Sequence, residues 1–217
     1  MPGLVPIPTP ILRLLHIDNL AVVLQRGALH APNSCPADGL VDKTIHNTAI
    51  QDKRRVRPVS CGPGGVIHDY VAFYFGPLSP MLFQLKTGRV AGYTEGQDPL
   101  VYLVSTAQRV EEAGYKLVFS DGHAIAALTQ IFDSFEKLTE VCWDTVSLRY
   151  WNDTPDEPDR QRRKQAEFLV GQECGWEVID EVVVISDIIK KQVEAVFESF
   201  DIGLRRPVRV RRDWYYW

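Results

Sequence analysis

The spacing of hydrophobic residues predicts a strand followed by a short helix near the start of the chain. After His16, the residues Leu20, Val23 and Leu24 have the i, i+3, i+4 spacing of one helix face. Gly27 follows at the point where such a helix is expected to end. His16 therefore lies at a strand–helix junction, where its side chain is placed to face a cleft.

A second pattern, the β-prone run HDYVAFYF at 68–75, predicts a central strand. Tyr70, Ala72 and Tyr74 alternate with Val71, Phe73 and Phe75, so that both faces of this strand are expected to be buried. The Gly-Pro pair at 76–77 ends the strand, and a helix is predicted to begin within SPML.

The other elements do not follow a regular strand–helix–strand rhythm, which favours an α+β fold. Further strands are predicted at 99–106, 116–122, 167–172, 178–186 and 207–217, and further helices at 105–114, 123–138 and 187–200. Residues 30–65 show little periodicity apart from a helical turn near Ile50, and a segment of this length is typical of a functional loop or lid. We expect one domain over 1–217, with 1–10 as a loose, proline-rich arm.

Composition is that of an ordinary globular domain and excludes few functions. The 217 residues are 45% hydrophobic and 24% charged. No apolar run reaches the roughly 20 residues that a membrane helix needs, and the N-terminus is a poor signal peptide, so a cytoplasmic protein without a membrane partner is expected. The four cysteines have no C-x-x-C spacing, so free thiols and no metal site are predicted.

The net charge of −4 argues weakly against a nucleic-acid partner, but the arginines are clustered. If the clusters converge in space, they form a basic surface on an acidic body; the alternative is three separately solvated faces. The clusters are Arg54, Arg55 and Arg57; Arg160, Arg162, Arg163 and Lys164; and Arg205, Arg206, Arg209, Arg211 and Arg212.

Three features are candidates for chemistry or binding. Glu167 stands where a polar segment becomes an apolar strand, and either projects into a cleft or is a plain surface glutamate. His16 either binds a ligand hydroxyl or is a structural histidine. In LRYWNDT, Tyr150 and Trp151 are candidates for base stacking with Arg149 on phosphate; a small satellite core explains them equally well.

Four segments follow one another in a distinctive order: LHIDNLAVVLQRGAL, the longer IQDKRRVRPVSCGPGGVIHDYVAFYFGPLSPML, RYWNDTPDEPDRQRRKQAEFLV and the closing VRVRRDWYYW. In this order and spacing they resemble the DarT family of DNA ADP-ribosyltransferases. The resemblance spans the chain from about Leu14 onward. It implies a diphtheria-toxin-like ADP-ribosyltransferase fold, with two small β-sheets around an NAD⁺ cleft and flanking helices.

The same resemblance implies roles for individual residues. Glu167 matches the catalytic glutamate of the family, and Arg54 the active-site arginine, with Arg55 in reserve because the repeated arginines leave the register open by one. Contacts to NAD⁺ are implied for His16, Asn19, Leu20, Gly27, Arg54, Tyr70, Phe73 and Phe75. DNA contacts are implied for Arg55, Arg149, Tyr150, Trp151, Asn152 and Arg163.

The resemblance also implies a reaction and partners. NAD⁺ is the expected co-substrate, without a metal, and sequence-selective transfer to thymidine in single-stranded DNA is the expected reaction. The expected role is that of a toxin whose partner is the macrodomain antitoxin DarG. Alternatives are a transferase of the same fold that acts on guanosine, RNA or protein, a non-catalytic nucleic-acid-binding domain, and an NAD⁺ glycohydrolase.

Overall fold

The elements of the fold follow the predicted order closely. A computed structural model describes residues 3–217. Its strands are β1 (Pro10–His16), β2 (Ala28–His30), β3 (Tyr70–Tyr74), β4 (Leu100–Thr106), β5 (Leu117–Ser120), β6 (Ile131–Phe132), β7 (Glu167–Gly171), β8 (Glu173–Gly175), β9 (Glu181–Val184) and β10 (Val208–Val210). Its α-helices are α1 (Asp18–Arg26), α2 (Thr48–Val56), α3 (Pro80–Lys86), α4 (Ala107–Glu112), α5 (Trp143–Ser147), α6 (Arg160–Lys164) and α7 (Asp187–Glu198).

The main sheet is divided in the middle. Its strand order is β10-β9-β4-β1-β3-β7-β5-β6, and a separate two-stranded sheet joins β2 to β8. β1 pairs with β4 along its whole length, and β3 pairs with β7 along its whole length. β1 and β3, however, pair only at Leu12 and Tyr74. The α+β prediction is confirmed. Where two small sheets were predicted around the cleft, the structure has one eight-stranded sheet whose four-stranded halves are joined at this single residue pair.

The core lies on both faces of the divided sheet. Along β1, Ile11 and Leu15 pack into one hydrophobic cluster, whereas Leu12 and Leu14 pack into another. This alternation is expected for a strand that is buried on both sides. At the end of β3, the ring of Phe75 makes edge-on contacts with the rings of Phe119, Trp143 and Phe168. Among residues 3–217, no helix is long and apolar enough to cross a membrane.

The N-terminal arm is not loose where it approaches the sheet. Thr9 is fully buried, and its N–H donates to the side-chain oxygen of Gln108 at 2.8 Å. Pro10 already belongs to β1. The prediction of a loose arm is therefore wrong for these two residues, because Thr9 bridges to the start of α4. Residues 1 and 2 lie outside the described part of the chain.

Two predicted elements are also wrong. Residues 123–138 form turns, β6 and the start of a 3₁₀ helix instead of an α-helix. Backbone N–H groups there bond to other segments: His123 donates to the carbonyl of Arg162, and Ala124 to the carboxylate of Glu167. The predicted strand 207–217 is limited to β10, since the Tyr215 ring turns inward and its hydroxyl donates to the carbonyl of Leu100.

Candidate active site

A cleft of about 330 Å³ opens where the two halves of the main sheet diverge. Volumes of this order are typical of small-molecule and cofactor sites. The cleft is lined by residues from β1, β3, α2, α3 and the segment leading into β7, among them Arg13, Leu14, Ile45, His46, Asn47, Gln51, Arg54, Tyr70, Phe73, Tyr74, Met81, Gln84, His123, Gln161, Gln165 and Glu167. Among residues 3–217, no group of His, Cys, Asp or Glu side chains is arranged to hold a metal ion.

Glu167 is a buried carboxylate held by charge and hydrogen bonds. It is the first residue of β7, opposite Tyr74, and it is only 1% exposed. The Arg54 guanidinium donates through Nη1 to both carboxylate oxygens, at 2.8 and 3.1 Å. The N–H of Ala124 donates to one of them at 3.0 Å. Burial of a carboxylate is costly without such partners, and here they also fix its direction.

Arg54 lies on α2, a polar helix. The helix is capped at its N-terminus by Asn47, whose side-chain oxygen accepts a hydrogen bond from the N–H of Ile50. Arg54 is buried on the inner face of this helix, whereas Arg55 is exposed and lies 3.6 Å from Asp52. Adjacent helical residues point about 100° apart, so only one of the two can reach the carboxylate. The structure brings Arg54 to Glu167 and leaves Arg55 on the rim.

Arg13 crosses the gap between the two halves of the sheet. It projects from β1, and its Nη1 donates to the carbonyl of Ala72 on β3 at 2.9 Å. Burial lowers the pKa of its guanidinium, and the nearby charge of Arg54 acts in the same direction. Within residues 3–217, its Nε is buried without a hydrogen-bond partner. The cleft wall thus carries a second arginine that the sequence did not single out.

Four of the five histidines of the chain line the cleft, although the sequence drew attention only to His16. Burial, together with the charges of Arg13 and Arg54, lowers the pKa of His46 to about 4. Burial also lowers the pKa of His68 and of His123. These rings are neutral at pH 7, and neutral imidazoles both donate and accept hydrogen bonds. His30 is the fourth.

A buried lysine fastens the segment that leads into Glu167. Lys164, on α6, donates to the carbonyl of Val146 on α5 at 2.6 Å. Burial lowers the pKa of its ammonium to about 7. Arg162 braces the same helix through Asp159 and Asp121. The approach to Glu167 is therefore fixed from two sides.

Several residues predicted to contact NAD⁺ lie outside the cleft lining. His16 is buried at the end of β1, where its Nδ1 accepts from the N–H of Asp18 at 3.1 Å. Leu20 packs in the core, Gly27 ends α1 in the left-handed conformation, and Phe75 packs among aromatic rings. Tyr70 and Phe73 do line the cleft. Outside this lining, His16, Leu20, Gly27 and Phe75 make packing or capping contacts, and the contacts to NAD⁺ that were expected for them stay a prediction.

Asn19 makes a reciprocal clamp on the backbone of the long loop. Its amide nitrogen donates to the carbonyl of Lys43 at 2.9 Å, and its oxygen accepts from the N–H of Lys43 at 2.7 Å. The loop continues through Ile45 and His46, which line the cleft, to the cap of α2. The segment 30–65 was predicted to be a functional loop or lid. In the structure this segment is held against α1 by Asn19 and forms one wall of the cleft.

We expect Asn19→Ala to raise the KM for NAD⁺, the co-substrate that the family resemblance implies, about thirtyfold with little change in kcat, because two hydrogen bonds of about 1 kcal/mol each hold the cleft wall. Steady-state rates at varied NAD⁺ measure this. Lys43→Ala, which keeps the backbone bonds, is the matched control and should change the KM less. A loss in kcat alone would contradict this role.

The residues predicted to contact DNA lie in different environments. Tyr150 is 78% exposed and Asn152 is exposed, whereas Trp151 is 8% exposed and donates to the hydroxyl of Tyr216 at 2.7 Å. The buried ring of Trp151 offers no free face to a base, so its stacking role is corrected to that of an anchor. Arg163 is half-buried and lies 3.6 Å from Asp159.

The three arginine clusters do not converge on one surface. Residues 54–57 and 160–164 lie on segments that border the cleft, whereas 205–212 surround β10 at the far edge of the main sheet. Most guanidiniums of the second cluster are engaged by carboxylates, as in the pair of Arg160 with Glu157. Within residues 3–217, the three clusters therefore do not form the single basic surface that their convergence would have produced.

Comparisons with known proteins agree on one family. Residues 12–216 match the family described as "ssDNA thymidine ADP-ribosyltransferase, DarT". A DNA ADP-ribosyl transferase of Thermus sp. (strain 2.9) is 39% identical over 211 residues, which are 97% of this chain and 98% of that protein. The structure of Thermus sp. 2.9 DarT in complex with ADP-ribosylated ssDNA matches with a TM-score of 0.92 at 38% identity, over 100% of both chains. The complex of the same protein with NAD⁺ matches with a TM-score of 0.88 at 38% identity, over 98% of this chain and 100% of that one. The chain belongs to the DarT family.

Proposed function

We propose that the cleft splits NAD⁺ and transfers its ADP-ribose to a thymidine base of single-stranded DNA. The observation that carries the proposal is Glu167, a buried carboxylate on the cleft wall, held by Arg54 and the N–H of Ala124. Similarity to a relative in complex with NAD⁺ and with ADP-ribosylated ssDNA supports the choice of both substrates.

The cleft fits a dinucleotide by its chemistry. A pyrophosphate needs cationic donors, and Arg13 and Arg54 are the arginines of the lining. The nicotinamide ring needs apolar and aromatic surface, which Tyr70 and Phe73 provide. We assign NAD⁺ to this cleft, with the ribose of its nicotinamide end beside Glu167.

Cleavage of the bond between nicotinamide and ribose releases neutral nicotinamide with the bonding electron pair and leaves positive charge on the ribose. A fixed carboxylate stabilises that charge as it develops. Glu167 performs this role, and Arg54 prevents it from turning away. Attack by a base nitrogen then forms the new glycosidic bond and releases a proton, which Glu167 accepts.

The acceptor is best supplied as an unpaired strand. In a duplex, N3 of thymine is occupied by its base pair, and extrusion of a base costs a few kcal/mol. The carboxamides of Gln51, Gln84, Gln161 and Gln165 line the cleft and suit recognition of a base edge. We infer sequence-selective transfer to thymidine; the biological role as a toxin controlled by a DarG macrodomain partner is inferred from the family alone.

Mass spectrometry of defined oligonucleotides after incubation with NAD⁺ tests the proposal. We expect ADP-ribose on strands that contain thymidine in an accepted sequence context, and none on strands of the same length that lack thymidine. Guanosine-containing strands, RNA and protein are separate arms that identify the alternative acceptors. Release of free ADP-ribose at the same rate with and without DNA would identify a glycohydrolase and contradict the proposal.

DNA binding is expected to depend moderately on salt. For single strands, log K falls by about 0.7 per phosphate contact for each tenfold rise in salt. With two contacts, from Arg55 and Arg149, binding weakens about sevenfold between about 50 and about 200 mM salt. Fluorescence anisotropy measures this, and Arg55→Ala should reduce the slope by about 0.7. A flat response would exclude these arginines as phosphate contacts.

A further inference from the structure

An aromatic and basic surface lies outside the cleft. Tyr150 and Trp217 are each 78% exposed, and the guanidinium of Arg149 lies 4.5 Å from the ring centroid of Trp217. We call these three residues the outer platform. Tyr150 follows Arg149 in the chain, and exposed aromatic rings next to a guanidinium are typical of surfaces that bind single-stranded nucleic acid.

The outer platform is rigidly supported. Trp151, next to Tyr150, donates to the hydroxyl of Tyr216, which is next to Trp217. Both supporting rings pack edge-on against Phe83, at centroid distances of 6.0 and 5.3 Å. The N–H of Tyr216 also donates to Gln97 at 3.0 Å. Two distant segments are thereby locked together beneath the exposed rings.

The platform stands beside the cleft and is separated from it by one helix. Met81 and Gln84, on α3, line the cleft, whereas Phe83 of the same helix contacts the supports of the platform. Side chains three apart share a helix face, and Phe83 lies on a different one. A helix is about 10 Å wide with its side chains, so the platform lies within reach of a strand whose acceptor base occupies the cleft.

The chemistry of the platform suits unpaired bases and phosphates. Every base has a face that stacks on aromatic rings, and guanidinium groups both stack and bind phosphate. Arg89 adds a cation near the supporting rings, 5.5 Å from the ring centroid of Phe83. One face of the Trp217 ring is covered by Arg149, and the high exposure of Trp217 leaves the other to solvent.

We propose that the outer platform binds nucleotides that flank the acceptor base, so that the enzyme prefers strands long enough to reach from the cleft to Trp217. This rests on the proposed function, and it adds a second contact with the same DNA strand. Stacking on the outer platform accepts any base. The selectivity for a DNA sequence therefore comes from contacts in the cleft.

The test compares kcat/KM for two thymidine strands that share the acceptor sequence, one of about four nucleotides and one of about twelve. Stacking of one base is worth about tenfold in binding, so wild-type enzyme should prefer the longer strand by about tenfold or more. In Trp217→Ala this ratio should fall toward one, and Trp217→Phe, which keeps a ring, should retain most of it. Ile202→Ala, at a residue that is 76% exposed and lies on a different segment of the chain, is the matched control and should keep the full ratio.

The outcomes separate the platform from the proposed function. A wild-type enzyme that modifies both strands equally well would overturn the platform and leave the proposed function standing. The platform is equally overturned if Trp217→Ala lowers both rates equally or leaves the ratio unchanged, as it would if the surface bound a protein. If wild-type enzyme modifies neither strand, both the proposed transfer to thymidine and the proposed role of the outer platform are contradicted.

Discussion

Glu167→Gln is expected to lower the rate of ADP-ribose transfer by about a thousandfold, the cost typical of removing a group that stabilises transition-state charge. The substitution preserves size, but it removes the negative charge that faces the developing cation. It also places an amide where Arg54 Nη1 donates to both oxygens. Nicotinamide release and DNA modification should fall together, because both follow the same bond cleavage.

The control for this variant is Glu111→Gln, at an exposed glutamate on α4. It carries the same chemical change away from the cleft and should leave the rate unchanged. Thermal unfolding of both variants shows whether the fold persists. Transfer at more than a tenth of the wild-type rate by a folded Glu167→Gln enzyme would refute the role given to the carboxylate.

Arg54→Lys should reduce transfer by about a hundredfold, whereas Arg55→Lys should change it by less than about threefold. Lysine ends in a compact ammonium on a flexible stem, so it does not hold a nitrogen at the fixed position from which Nη1 of the planar guanidinium contacts both oxygens of Glu167. Steady-state rates of the two variants, made side by side, measure the contrast. The adjacent residues share charge and sequence context and differ in burial, which makes Arg55 the matched control.

Complete removal of the guanidinium should also affect stability. Arg54→Ala leaves the buried carboxylate of Glu167 without its charged partner, and breaking a buried pair in this way costs about 3–5 kcal/mol. Denaturant unfolding measures the loss. A larger effect on transfer from Arg55 than from Arg54 would reverse the assignment.

Strand positions are predictable because burial leaves a direct mark on the sequence. The apolar runs around Phe73 and Val101 admit few alternatives to buried strands. The helix predicted over 123–138 is wrong because tertiary contacts overrule the helical propensity of these residues. Ala124 gives its N–H to Glu167 instead of to a helix. A sequence pattern carries no information on such a distant partner.

For the site, too, the sequence predicts some features, whereas others depend on the fold. On its residues alone, Glu167 is as compatible with the surface as with a cleft, and the family resemblance supplies its role. The choice between Arg54 and Arg55 depends on the rotation of α2, which only the fold fixes. The sequence does not reveal His46 and His123, because they are far apart in the chain and only the fold places both on the wall of one cleft. The pattern around Trp151 does not distinguish an anchor from an exposed stacking ring.

The catalytic role of Glu167 requires its carboxylate to lie against the nicotinamide ribose. A crystal structure of this protein with a non-hydrolysable NAD⁺ analogue tests this most directly, through the distance from the carboxylate oxygens to the ribose 2′-hydroxyl. We expect a hydrogen bond of about 2.6–3.2 Å, with the dinucleotide inside the cleft between β1 and β3. A dinucleotide bound elsewhere, or one whose nicotinamide ribose lies beyond the reach of Glu167, would contradict the account.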